Sequence, residues 1–184
     1  MELLLGILVG VSLAAATGLR VFLPLLVAGI AARSGHLELA AGFDWMASTP
    51  ALVAFGLASV LEVGAYHVPW LDHLLDTVSV PSAAVAGTLL TAAFVADVSP
   101  FLQATAAIVA GGGTAGSVAL GTAGVRAVST ATTGGLANPI VAFGEAVASL
   151  VLSVVAVLAP VLALLVVLAG VAFGVRRLAL RAPA

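Results

Sequence analysis

Few residues in this chain can do chemistry, and most of them are charged. Arg20 stands in the middle of a long apolar run, residues 3–32. An arginine at the centre of a bilayer costs at least ~2.5–3.5 kcal/mol on insertion scales. Its guanidinium does not lose its proton. Arg20 therefore serves either as a structural ion or carbonyl-bonded group or as the ligand of an anion or lipid headgroup. Four acids lie in or beside apolar runs: Glu62, Asp97, Glu145 and Asp76. Glu145 follows Pro139 by about two helical turns, which places it at depth. Glu62 and Asp97 fall near span ends, within reach of an interface. Glu145 is thus the first expected partner of Arg20, Asp97 the second and Glu62 the third. A buried carboxylate without a partner is also a proton carrier.

The other motifs have plainer readings. Gly111-Gly112-Gly113-Thr114-Ala115-Gly116 satisfies G-x-G-x-x-G, but no βαβ pattern surrounds it, so it is not a dinucleotide fingerprint. It reads as close helix packing, like the small-xxx-small pairs Gly6/Gly10, Gly112/Gly116, Ser117/Gly121 and Gly170/Gly174, which also suit a homo-oligomer. His67, Asp72, His73 and Asp76 can share one helical face near Glu62, yet no metal-binding motif is present. That stretch reads as an interfacial amphipathic helix anchored by Trp70. His36, His67 and His73 lie outside the apolar runs, which argues against a haem in the bilayer. There is no nucleophile elbow and no H-E-x-x-H. The expectation is no enzyme, no cofactor and no metal. Asn138-Pro139 suits a helix start, Asn as N-cap and Pro at the first helical position.

Composition sets the frame for these residues. Of 184 residues, 62% are hydrophobic and only 8% charged, and the mean hydropathy is +1.29. Soluble domains carry about 25% charged residues. So little charge cannot cover a water-facing surface, which excludes a soluble enzyme, a nucleic-acid binder and a disordered chain. Six arginines and no lysine oppose eight acids, for a net charge of −2. Cysteine is absent, which removes disulfides and thiolate chemistry.

The apolar runs are 3–32, 51–65, 82–96, 101–124, 139–158 and 161–175, in a single transmembrane domain over 1–184. The first would be ~45 Å long as one helix, against a hydrocarbon core of ~30 Å. Tilt alone does not absorb that difference, so the run should break at Thr17-Gly18-Leu19-Arg20, ahead of Pro24. The stretch 139–175 is also too long and is expected to divide at Ala159-Pro160. Ala16-Thr17, Pro24 and Gly29 recur at the same spacing as Ala131-Thr132, Pro139 and Gly144. This weak internal repeat is either chance in an Ala-, Gly- and Thr-rich chain or a pair of interrupted segments of the kind that marks midplane sites in transporters, often as inverted repeats. The expected fold is an all-α polytopic helical membrane protein of five or six spans, with at least one broken or re-entrant helix. Arg176, Arg177 and Arg181 place the C-terminus in the cytoplasm of a prokaryotic cell, beneath its plasma (inner) membrane. The connection 66–81, with Asp72 and Asp76 but no Arg, is expected outside, which requires an odd number of crossings from there to the C-terminus, so either one run does not cross fully or 139–175 is a single span.

Three stretches carry a family resemblance. They are Thr17-Gly18-Leu19-Arg20-Val21-Phe22-Leu23-Pro24, the segment 62–76 with Pro69, Asp72 and Asp76, and Thr132-Thr133-Gly134-Gly135-Leu136-Ala137-Asn138-Pro139. Together they resemble the small bacterial membrane proteins catalogued as domain of unknown function 4126. The resemblance implies a multi-helix membrane fold and no particular activity. Tyr66-His67 departs from the charged pair expected there. From the residues themselves, the leading expectation is a transporter or channel-like protein that binds a small anionic solute or lipid headgroup at midplane. The site would use Arg20, Thr17, Gly18, Thr132, Asn138 and Glu145, with Glu62 and Asp97 as ion-pair or proton-carrying groups. The rival expectation is a non-transporting accessory or scaffold subunit.

Overall fold

The computed structural model describes the backbone of residues 2–65 and 69–179, and the side chains of 2–65, 77–174 and Arg176. The helices are α1 (Glu2–Thr17), α2 (Phe22–Arg33), α3 (Thr49–Ala65), α4 (Pro69–Phe94), α5 (Pro100–Ala106), α6 (Gly113–Thr133), α7 (Asn138–Leu158) and α8 (Pro160–Ala179). A 3-10 turn, Asp44–Ala47, precedes α3, and a π-helical turn, Ala107–Gly112, joins α5 to α6. No strand occurs among the described residues. Pro100–Thr133 is therefore one 34-residue helix with a wide turn inside it.

Among the described residues, three helices are long and apolar enough to cross a membrane: Thr77–Phe94, Pro100–Thr133 and Asn138–Leu158. That is fewer than the expected five or six. Glu2–Thr17, Phe22–Arg33, Thr49–Ala65 and Pro160–Gly174 are apolar but shorter. Two expected boundaries move. The connection 66–81 is helical from Pro69 onward, and α4 runs straight through Pro81. The fourth run does not stop at 124 but continues to Thr133, carrying Arg126 into a helix. The final run divides at Ala159, whose φ of −147° and ψ of 70° leave the helical region just before Pro160.

The break in the first run is real, and it is a chain reversal. α1 ends at Thr17, and α2 begins at Phe22. Gly18 and Leu19 donate to Ala15 and Ala16 in tightened turns. Gly6 in α1 lies against the carbonyl of Phe94. After α2, Ala40 N donates to Ala93 O at 2.7 Å. Both ends of the α1–α2 pair thus sit at the C-terminal end of α4. Its tip lies further down α4, where Thr17 Oγ1 donates to Ala83 O at 3.3 Å. A hairpin rather than a linear broken helix enters the bundle.

Close approach of backbones holds this arrangement together. α4 packs against α1, the π-helical turn and α6, and these in turn touch one another. A Cβ on Gly87 would stand 2.5 Å from the Ala115 methyl and 2.8 Å from the Gly111 carbonyl. Those glycines let α4 and the Pro100–Thr133 helix touch main chain to main chain, as the sequence pattern implied. Among the described residues, a Cβ on Gly121, Gly170 or Gly174 would meet nothing within 4 Å.

The outer surface is as apolar as the interior, and several hydroxyls are enclosed within the bundle. Ser12, Thr17, Thr91, Ser149 and Ser153 are fully enclosed, while Leu57, Leu61, Val85, Phe101, Ile140 and Leu158 face outward. Small and polar residues inside with branched apolar residues outside suit a lipid surround. Packing of this kind makes a specific prediction. Gly87→Leu should lower stability by about 1–3 kcal/mol through overpacking. Gly121→Leu should leave it near wild type. Thermal unfolding of the purified protein in detergent separates the two.

Candidate functional site

The polar centre of the bundle is a carboxylate held by two arginines. Glu145 comes from α7, Arg126 from α6 and Arg20 from the α1–α2 turn. Arg126 Nε donates to Glu145 Oε1 at 3.3 Å, and Arg126 Nη2 donates to Oε2. Arg20 Nη2 lies 3.1 Å from the same Oε2. It also donates to the carbonyl of Ala142 at 2.6 Å. Relative exposure is 1% for Arg20, 3% for Arg126 and 8% for Glu145. The group is out of water, where electrostatic attraction is least damped.

Local structure explains why these three meet. α6 and α7 are joined by the tight turn at Gly134 and Gly135, both with positive φ, which glycine adopts without a steric penalty. Thr133 Oγ1 accepts from Ala137 N at 3.2 Å, and Asn138 Nδ2 donates to Thr130 Oγ1 at 3.0 Å, closing the turn. Arg126 lies seven residues before the end of α6, and Glu145 seven after the start of α7. Each is therefore ~10 Å from the turn, at one depth. The α1–α2 tip arrives at that depth from the opposite side. Ser149 Oγ, one turn beyond Glu145, donates to Ala16 O at 2.9 Å and fixes the tip against α7. Gly18 is pressed against α6: a Cβ there would lie 2.6 Å from Ala115 O.

Glu62 completes the charged cluster without joining the ion pairs directly. Its Oε1 accepts from Val21 N at 2.8 Å and its Oε2 from Phe22 N at 3.1 Å. These are N–H groups that the first turn of α2 leaves without intrahelical partners. A carboxylate there also complements the helix dipole. Thr17, Gly18, Arg20, Glu62 and Arg126 line one small polar cavity, together with Ser79, Ala83 and Thr122. It holds about 10 Å³, room for roughly one water.

Several expected site residues take other places. Thr132 is exposed, and its hydroxyl donates to Val128 O at 2.8 Å in its own helix, so it does not mirror the buried Thr17. The two halves of the proposed repeat share a helix–break–helix form but not an environment. Asn138 is buried, but it is not the N-cap. α7 starts at Asn138 itself, Ala137 is the capping position with no side-chain bond, and the Asn138 amide faces Thr130. Asp97 lies in an exposed turn between α4 and α5 with φ of 58°, a conformation Asp tolerates, and takes no part in the cluster. Glu145 is the partner of Arg20, as ranked first. The cluster of His67, Asp72, His73 and Asp76, with Trp70, lies outside the described side chains, as do Arg177 and Arg181. Arg126 was missed because it falls between the apolar runs 101–124 and 139–158. Its equal distance from the Gly134-Gly135 turn to that of Glu145 was the available signal.

An all-helical bundle with three membrane-length apolar helices and a buried ion cluster is the class that fold and site define. The chain belongs to the family described as domain of unknown function (DUF4126), whose model matches residues 7–179. No curated protein and no solved structure matches it.

The cluster is asymmetric, and its mutants should be too. Glu145→Ala removes a carboxylate shared by two buried guanidiniums and should cost about 3–5 kcal/mol. Arg126→Ala leaves the Arg20–Glu145 pair standing and should cost less. Unfolding of both variants in parallel detergent titrations measures the order.

Proposed function

We propose that this protein resides in a prokaryotic inner membrane and binds a small anion at the Arg20–Arg126 cluster, as a step in moving it across. The single observation that carries this reading is the convergence of two almost fully buried arginines on one carboxylate beside a polar cavity. A guanidinium in a bilayer is expensive. Placing two of them around a single carboxylate, one at the tip of an inserted hairpin and one on a facing helix, is consistent with charge stabilisation of a negative ligand. The hairpin supports the same reading, because irregular backbone at depth is tolerated where it lines a cavity. The activity is non-enzymatic and needs no cofactor. α3 and α8 serve as additional short spans around the three long ones, giving five, with α1–α2 re-entrant. The arginine-bearing C-terminus lies in the cytoplasm.

A second reading, a non-transporting scaffold subunit, is favoured by one observation: the cavity takes about one water. Flux decides between them. Reconstituted protein should conduct a small anion into liposomes, and Arg20→Gln and Arg126→Gln should each abolish the flux while the protein still elutes as a folded species. Wild-type liposomes no leakier than empty ones would favour the scaffold.

Topology gives an independent check on the bundle. Glu38 follows α2, and Leu136 sits in the α6–α7 turn; both are exposed. Since the chain has no native cysteine, single cysteines at these two positions should label from opposite sides of the membrane. Labelling from one side would refute the arrangement.

A further inference from the structure

We propose that Glu145 is a tethered stand-in for the transported ligand, and that the ligand is a small planar oxyanion which replaces the carboxylate as Glu145 takes up one proton. This rests on the anion-binding reading above and specifies its substrate class and coupling. A carboxylate is itself a planar oxyanion, and here it occupies a two-guanidinium clamp with both oxygens engaged. Paired guanidinium N–H groups suit such planar, bidentate partners. Arg20 keeps its bond to Ala142 O when the carboxylate leaves, so half of the clamp stays in position. Glu145 is the least enclosed of the three, at 8% exposure against 3% and 1%.

Size and charge narrow the ligand. The room available is that of the departed carboxylate plus the adjoining cavity, enough for a trigonal anion and about one water. The charged groups sharing the site among the described residues are Arg20 from the hairpin tip, Arg126 from α6 and Glu62 from α3. Glu62 is committed to the first N–H groups of α2. On the other helices packed against α7, Arg33 ends α2, Glu2 begins α1 and Arg176 is exposed on α8. The exchange balances: an O–H bond forms on Glu145, its ion pairs to Arg20 and Arg126 break, and equivalent pairs form to the entering anion. The net charge of the cluster is unchanged, and each anion is accompanied by one proton.

The test uses purified full-length protein and nitrate, with sulfate as the tetrahedral control. Wild type should take up one proton per nitrate bound in lightly buffered solution. Its apparent nitrate affinity should fall about tenfold for each unit rise in pH wherever binding takes up that one proton, the one-proton linkage. Glu145→Gln, which carries no exchangeable carboxylate charge, should bind nitrate without proton uptake and without that pH dependence. If this variant does not fold, the wild-type proton count decides alone. Nitrate bound or conducted with no proton uptake would overturn the proposal while leaving the anion site standing. Equal binding of sulfate would overturn the planar class. Absence of binding and flux of any tested anion, with nitrate restoring the stability of Glu145→Ala, would make Glu145 a structural plug and remove both readings.

Discussion

The fold is organised around the need to keep three charges together away from water. Each of Arg20, Arg126 and Glu145 alone would carry a desolvation cost of several kcal/mol in this environment, and only mutual pairing offsets it. The three come from three separate parts of the chain: a hairpin tip, the second half of a 34-residue helix and the early part of the next. The pairing thus constrains where those parts can lie relative to one another. Apolar contacts do not impose that constraint in lipid, since a valine facing a neighbour and a valine facing an acyl chain are nearly equivalent. Electrostatic pairing supplies the register that burial of apolar surface supplies in a water-soluble core. Glu62 extends the same logic to backbone, holding the start of α2 by its first two N–H groups.

Close main-chain packing supplies the remaining cohesion. Contacts between α4, α1 and the π-helical turn are made through Gly6, Gly10, Gly87 and Gly111, where a methyl group would already collide. Dispersion depends steeply on distance, so removing side chains from these crossings strengthens attraction between the helices. Hydroxyls complement it. Thr17, Ser149 and Thr122 each donate to a carbonyl near the hairpin tip, where the helical bonding pattern lapses.

Much of this was legible in the chain, for reasons that can be separated. Helical content and the break at Thr17–Arg20 followed from apolar run lengths and from glycine and proline, which act locally. The pairing of Arg20 with Glu145 followed from the cost of a lone charge, which leaves few candidates. The reversal at the tip did not follow, because a glycine-rich break permits a bend and a hairpin equally, and long-range contacts such as Ala40 with Ala93 choose between them. Thr132 was misplaced because similar local spacing does not carry similar burial. Asn138 was misread because its amide found Thr130, a partner eight residues back, in place of its own helix start. Arg126 escaped notice because a short run of Ser, Thr and Ala has no decisive periodicity; packing decided that it stays helical to Thr133.

The hairpin has a consequence for how the protein is made. Arg20 leaves the ribosome early, yet the carbonyl that holds it, Ala142, lies 122 residues later in the chain. At roughly 5–20 residues per second, on the order of ten seconds separate the two. During that interval the guanidinium has neither of its α7 partners and is better accommodated among water and headgroups than in hydrocarbon. In a membrane, the hairpin tip would gain its pairing partners only once α7 is made, so the first helices synthesised would be among the last to reach their final depth.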